Sequence, residues 1–247
     1  MCSNSDYISG LELARVTHPL ESNGLESLAS SNEAADAGYL VYKGLQSFAA
    51  GLSVQGREDV LNSLLLAQRA ATKAFPNEDN IFEWYKKYFE VLENVGWVWE
   101  GNDFSIFESG KTKFEVDKAI LEILGAAVTG TQLAILIKTL EAVKNMADGD
   151  NRITFFERNT HTLHKGSFQL GVANEERGVV SLTANAFVLT TRTTITKILF
   201  FTSVKKDADL KYSLAKATLN AGVYDGYREQ IKAKLSDKAD YIADLEI

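Results

Sequence analysis

The stretch GVVSLTANAFVLTT, residues 178–191, alternates apolar and small polar side chains and is rich in valine and threonine. Such alternation is typical of a β-strand, because successive side chains point to opposite faces of a sheet. Three more stretches carry the same signal, at 162–173, 193–204 and 209–219. The loops NEERG and KKDA within this region are short, so we predict an antiparallel sheet or sandwich over residues 152–222.

Before this region the apolar residues recur every three to four positions, which is the period of an amphipathic helix. We predict helices over 34–48, 57–75, 77–95 and 114–146, the last of them broken near TGT at 129–131. The period falls to two in GWVWEGNDFSIF, which predicts an aromatic hairpin near 97–107 with GND as its loop. After the strands, a stripe from Tyr224 to Leu245 predicts a C-terminal amphipathic helix.

A run of helices followed by a run of strands defines the α+β class. The sequence therefore divides into a loosely ordered segment (1–33), a helical part (34–148), an antiparallel β part (152–222) and a C-terminal helix (223–247).

The charge is unevenly distributed along the chain. Residues 1–150 carry 22 acidic and 12 basic side chains, net −10, whereas residues 151–223 carry 5 acidic and 10 basic side chains, net +5. The basic part could face an anionic partner, but it lacks the dense basic clusters with aromatics that nucleic-acid binding requires, so we expect no nucleic-acid partner. One cysteine, Cys2, excludes an intrachain disulfide. We expect a soluble protein, cytoplasmic or exported without a cleaved signal peptide.

The most unusual segment is ILEILGAAVTGTQLAILI, residues 120–137, which carries one charge, Glu122. Its central residues are small and weakly apolar, so a permanent transmembrane helix is not expected. Two interpretations remain: a helix buried in a soluble core, or an apolar hairpin that is released at a bilayer. Under the second interpretation the membrane-insertion candidates are Ile120, Leu124, Ala127, Val128, Leu133, Ile135, Leu136 and Ile137.

The aromatic hairpin also has two interpretations. Its rings could belong to the core, holding a helix against the hairpin. Alternatively, Trp97, Trp99, Phe104 and Phe107 could form an exposed binding surface for a sugar ring or a lipid interface.

Motifs for catalysis are weak. SIFESGKT (105–112) has the order of a phosphate-binding loop, but Ser105 replaces the first glycine, so we predict an ordinary turn. The histidines of HTLH, His161 and His164, would point to opposite faces of a strand and have no nearby third ligand. We therefore expect no metal, no cofactor and no enzymatic activity.

These features predict a non-enzymatic binding protein, most concretely a toxin-like protein that perturbs or forms pores in membranes with the 119–140 segment. A sheltered apolar hairpin joined to a β-rich part is similar in style to bacterial pore-forming toxins, and no residue role is carried over from them. The partner would be a lipid bilayer or a cell-surface receptor, and a homo-oligomer could form. One alternative is a soluble protein- or carbohydrate-binding module without membrane activity. Another is an enzyme whose site is dispersed along the sequence.

Overall fold

A computed structural model describes residues 4–20, 32–101, 103–108 and 112–247, except the side chains of residues 4 and 5. Within these residues the helices are α1 Asn4–Gly10, α2 Val54–Ala74, α3 Ile81–Asn94, α4 Val116–Ala127, α5 Gly130–Lys144, α6 Asn151–Thr160, α7 Ala221–Asp225 and α8 Arg228–Lys234. The strands are β1 Ala37–Val41, β2 Gly44–Phe48, β3 Trp97–Glu100, β4 Phe104–Ile106, β5 Lys113–Glu115, β6 Lys165–Glu176, β7 Val179–Thr191, β8 Thr202–Val204, β9 Ala208–Leu219 and β10 Ile242–Leu245. The α+β class is confirmed.

One mixed sheet organises the fold. Its strand order is β10-β1-β2-β6-β7-β9-β3, and β4 also pairs with β9. Every pairing in it is antiparallel except β2 with β6, which run parallel. A separate two-stranded ribbon joins β5 to β8 directly before α4. The division of the chain near 148–152 stays a prediction, and the hydrogen bonds between β2 and β6 cross it.

Helices cover both faces of the sheet. On β2, Ser47 contacts Thr139 of α5, whereas the ring of its neighbour Phe48 lies under Arg57 of α2. Adjacent strand residues face opposite sides, so α5 and α2 lie on opposite faces. The long helix α2 is buried over most of its length because α3 and the C-terminal elements pack around it.

Charged contacts fasten the C-terminal elements to α2. Asp59 of α2 is buried and forms a two-pronged ion pair with Arg228 of α8, at 2.9 and 2.8 Å. Arg69, also buried, pairs with Asp237 and donates to the carbonyl of Ala14. The chain end is therefore fixed at the edge of the sheet, where β10 pairs with β1.

Four predicted elements are wrong. Residues 34–48 form the β1–β2 hairpin and not a helix, because the hairpin is buried on both faces and its apolar residues show no two-residue period. Residues 152–160 are helical, since the Asp150 side chain caps α6. Residues 193–204 reach the core as an irregular segment that becomes a strand only at β8. The single helix over 224–245 is instead α7, α8 and β10.

The aromatic hairpin is also paired differently from the prediction. Both β3 and β4 are present, but each pairs with β9 and neither pairs with the other. Asn102 of the predicted GND loop, residues 109–111 of SIFESGKT and residues 1–3 and 21–31 of the 1–33 segment lie outside the described residues.

Candidate functional site

The apolar segment forms a helical hairpin, α4–α5, which covers one face of the sheet. The predicted break is confirmed: α4 ends at Ala127 and α5 begins at Gly130. Thr129 and Gln132 form a capping box, in which the Thr129 hydroxyl accepts from the Gln132 amide at 3.3 Å and Gln132 Oε1 accepts from the Thr129 amide at 3.1 Å. These bonds satisfy amides that would otherwise prevent the turn from entering an apolar environment.

The inner face of the hairpin belongs to the core. Eight large apolar side chains are buried there: Val116, Ile120, Ile123, Leu124, Ile135, Leu136, Leu140 and Val143. Fully burying such a side chain stabilises the fold by about 1.5–3 kcal/mol, so together they contribute about 12–24 kcal/mol. That sum is as large as the net stability of a whole domain, about 5–15 kcal/mol. The hairpin therefore cannot leave the sheet for water without loss of the fold.

The outer face around the turn is exposed and uncharged. Gly125 and Ala126 of α4 and Ala134 of α5 face solvent, and the segment 125–134 contains no charged residue. A Cβ on Gly125 would lie 3.8 Å from Leu133 Cδ2, so the two helices are close together here. Small residues that allow close helix approach are typical of helix pairs in membranes.

Specific polar contacts between the hairpin and the rest of the described chain are few. The hydroxyls of Thr139 and Ser47 share a buried hydrogen bond of 2.7 Å. Near the turn, Gln132 Nε2 lies 3.4 Å from Asn174 Oδ1 of β6. Lys138 forms an ion pair with Asp36 at 2.9 Å, but Lys138 is half exposed and such pairs contribute only about 0–1 kcal/mol.

The ion pair with Lys138 also affects the pKa of the Asp36 carboxyl. Partial burial, the largest single effect, raises its pKa, but the hydrogen bonds from Lys138 and from the Ala50 amide, together with the charges of Lys138 and Arg57, outweigh burial and hold the pKa below its usual range. The ion pair is therefore intact at neutral pH.

The structure places the eight insertion candidates on two sides of the hairpin. Ile120, Leu124, Ile135 and Leu136 are fully buried against the core, whereas Ala127, Val128, Leu133 and Ile137 are partly exposed at the turn and the flanks. The soluble-core interpretation fits the inner face, where two shorter helices joined by a turn bury their large apolar side chains, but the segment is not buried on all sides, because residues 125, 126 and 134 face solvent.

Of the four aromatic binding candidates, Trp97 is a core residue, whereas Trp99, Phe104 and Phe107 are partly buried and pack against the core. Trp97 is 2% exposed, and Trp99 packs edge-on against Phe89 with ring centroids 5.0 Å apart. Phe104 and Phe107 are half-buried. The exposed apolar side chains nearby are Phe82, Val98 and Ile106, which sequence reasoning missed.

The histidines of HTLH differ in environment. His161 is partly buried with its Nε2 3.0 Å from Glu157 Oε2, and Glu157 also accepts from the amide of Ile198 at 2.8 Å. Burial, the largest single effect, lowers the pKa of His161, but the Glu157 carboxylate, the hydrogen bond to the Thr162 carbonyl and the charge of Glu78 together outweigh burial and raise the pKa above its ordinary value. His164 is exposed. Within the described ranges, no three His, Cys, Asp or Glu residues lie close enough to hold a metal ion.

Comparisons with known proteins give distant likenesses. No family model matches the sequence, and no curated protein matches it. A solved structure titled delta-endotoxin is similar with 10% identity and a TM-score of 0.44, over 72% of this chain and 80% of its own. The Evf virulence factor is similar with 14% identity and a TM-score of 0.40, over 96% and 88% of the two chains. Activated Cyt2Ba monomer from Bacillus thuringiensis subsp. israelensis has 12% identity and a TM-score of 0.29, over 54% and 77%.

All three identities are at or below 14% and all three TM-scores are below 0.5. We therefore base the functional proposal on the residues of this chain. Among the described helices, none combines the length and apolar character needed to cross a bilayer.

Proposed function

We propose that this chain is a non-enzymatic, toxin-like protein that perturbs lipid bilayers by inserting the α4–α5 hairpin. One observation carries the proposal: an apolar hairpin lies on the surface with an uncharged, exposed turn, and few polar contacts with the described residues hold it to the sheet. An ordinary surface hairpin would present charged side chains to water along its outer face.

In a bilayer, hydrocarbon takes the place of the sheet as the apolar environment of the hairpin's buried side chains. Of the eight large buried side chains, the four between Glu122 and Lys138 (Ile123, Leu124, Ile135 and Leu136) would lose about 6–12 kcal/mol in water, whereas a hydrocarbon environment keeps them away from water. The backbone amides and carbonyls inside each helix stay hydrogen-bonded within the helix, and the capping box satisfies amides at the turn. A bilayer is therefore an environment in which the hairpin can leave the sheet.

The helix lengths set the depth of insertion. At about 1.5 Å per residue, α4 and α5 are about 18 and 22 Å long, short of the hydrocarbon core of about 30 Å. The charges closest to the turn, Glu122 and Lys138, lie about 9 and 13 Å from it along their helices. We expect the turn to enter one leaflet while these charges stay near the headgroups, which perturbs the bilayer without a single spanning helix.

The experiment combines release of a trapped dye from liposomes with a fluorescent label on the hairpin. A Cys2→Ser background permits one NBD label on an Ala134→Cys variant, and a label on an Ala221→Cys variant is the matched control on α7. We expect dye release together with a blue shift of the label at 134 and no shift at 221. Dye release without a shift at 134 contradicts insertion of this hairpin, and absence of release under all lipid conditions contradicts the function.

A second candidate function rests on a different surface. Phe82 is exposed beside Ile106, its ring contacts Phe104 at 5.3 Å, and Lys211 lies over it at 4.9 Å. A cleft of about 200 Å³ next to this ring is lined by Asp79. An exposed ring beside a polar cleft favours a soluble module that binds a sugar or protein. Capture of glycans that Phe82→Ala abolishes, with no dye release by the parent protein, supports this function instead.

A further inference from the structure

A wide groove lies at the end of the sheet where β7 stops and β9 starts. Its volume is about 820 Å³, and its walls include Thr112 before β5, Arg192 after β7 and the turn Lys205–Asp207 after β8. The groove opens to solvent and is built from residues that are far apart in the sequence, so no local motif reveals it.

Basic side chains line the groove, and backbone hydrogen bonds fix the segments that carry them. Arg192, Lys205 and Lys206 line it and are exposed. The amide of Arg192 donates to the carbonyl of Asp207 at 2.9 Å, and the amide of Lys205 donates to the carbonyl of Thr112 at 3.0 Å. Two strand ends and the turn are thereby tied together, so the positions from which the cations extend are set by the fold.

Two of these cations form no ion pair within the described part of the chain. Neither Arg192 nor Lys206 forms an ion pair with a described residue, whereas Lys165 and Lys197 from the same region are paired with Asp79 and Asp148. The carboxylates of Asp207 and Asp209 also line the groove, and its three cations exceed them by one. An arginine fork and lysine ammonium groups around a cleft are the chemistry that binds a phosphate group.

Exposed apolar side chains flank the cations. Val204 lines the groove and is 49% exposed, and Leu163, just before β6, is 64% exposed. Lys165 at the start of β6 pairs with Thr190 at the end of β7, which places Leu163 at the same end of the sheet as the groove. Cations combined with exposed apolar side chains match a bilayer surface, where headgroups and hydrocarbon lie close together.

We propose that this groove docks the protein on a bilayer by binding the phosphate of an anionic phospholipid headgroup. The inference rests on the proposed membrane function and identifies the lipid that is recognised first. From Thr112 in the groove wall, β5 leads directly to Val116, the first residue of α4. Docking at the groove therefore brings the base of the hairpin to the bilayer.

The test is co-sedimentation of the protein with vesicles, measured separately from dye release. Wild type binds vesicles that contain phosphatidylglycerol and phosphatidylcholine more tightly than vesicles of phosphatidylcholine alone. The double variant Arg192→Gln/Lys206→Gln loses about twenty-five-fold in affinity for the anionic vesicles, from about fivefold for each basic residue near such a surface. The control Lys86→Gln/Lys216→Gln removes two exposed charges elsewhere and retains wild-type binding.

Three results overturn the docking site. They are equal binding to neutral vesicles, equal losses in the two double variants, and release of the bound protein by millimolar inorganic phosphate at constant ionic strength. The last result identifies a site for free phosphate. Groove-dependent binding without dye release supports the dock and contradicts the hairpin function, so the two failures are distinguishable.

Discussion

The substitution Ala134→Asp should affect insertion of the hairpin into lipid far more than the stability of the folded protein in water. Ala134 faces solvent on α5, so the substitution places a carboxylate in water while the protein is folded. The lower helix propensity of aspartate costs up to about 0.7 kcal/mol, and an i,i+4 contact with Lys138 offsets part of this. We therefore expect a free energy of unfolding within about 1 kcal/mol of wild type.

The same substitution is far more costly in lipid. An aspartate near the centre of a membrane helix costs about 2.5–3.5 kcal/mol, and each 1.4 kcal/mol is a factor of ten. Because Ala134 lies between the turn and the headgroup level of Lys138, short of the bilayer centre, these figures are an upper bound, and insertion of the hairpin should become less favourable by up to about 60- to 300-fold at neutral pH. The assay is dye release as a function of protein concentration, with urea unfolding to confirm the fold.

The control is Ala221→Asp. Ala221 is exposed at the first position of α7, where the helix dipole stabilises a carboxylate. We expect it to release dye like wild type. If a stably folded Ala134→Asp protein releases dye as well as Ala221→Asp, the turn of the hairpin does not enter lipid and the reasoning is refuted.

Three further predictions concern the fold. Leu124→Ala should lower the free energy of unfolding by about 2–5 kcal/mol in urea titrations, because Leu124 is fully buried. Leu121→Ala should lower it by less, because Leu121 is partly exposed. Arg228→Gln leaves the buried Asp59 carboxylate without its cation and should lower the free energy of unfolding by about 3 kcal/mol. Lys232→Gln removes a more exposed ion pair with Glu58 and should lower it by less than about 1 kcal/mol. Equal losses in the two variants would contradict the role of the buried pair. Because the pKa of His161 is raised in the folded protein, its ion pair with Glu157 stabilises the protein below a pH of about 6.5, and this stabilisation disappears as pH rises through the folded-state pKa. We expect the Tm of the wild type to decline between pH 6 and 8 for this reason, and His161→Gln should remove the decline. An unchanged decline in the variant would contradict the assignment.

Local chemistry predicted part of this fold well. The strands β6, β7 and β9 showed alternation and composition, and the break in the apolar segment coincides with Thr129 and Gln132, whose spacing is that of a capping box. These elements depend on neighbours within a few residues, which a sequence displays directly.

Elements that depend on distant partners were missed. β1 and β2 are buried on both faces, so their apolar residues gave a false helical period. The C-terminal strand β10 exists because β1 offers it an edge, a pairing across about two hundred residues that has no local signal. The basic groove is likewise assembled from three separate segments, and only the net charge of the β part indicated it.

The most direct test of the central claim is a reversible lock between the hairpin and the sheet. The hydroxyls of Ser47 and Thr139 lie 2.7 Å apart in the core, so the double variant Ser47→Cys/Thr139→Cys on a Cys2→Ser background places two thiols where a disulfide can join α5 to β2. We predict no dye release while the disulfide is formed and restored release after reduction, with each single-cysteine variant active under both conditions. Equal release by the oxidised and reduced forms would show that the membrane is perturbed with α5 still on the sheet, and would contradict the account.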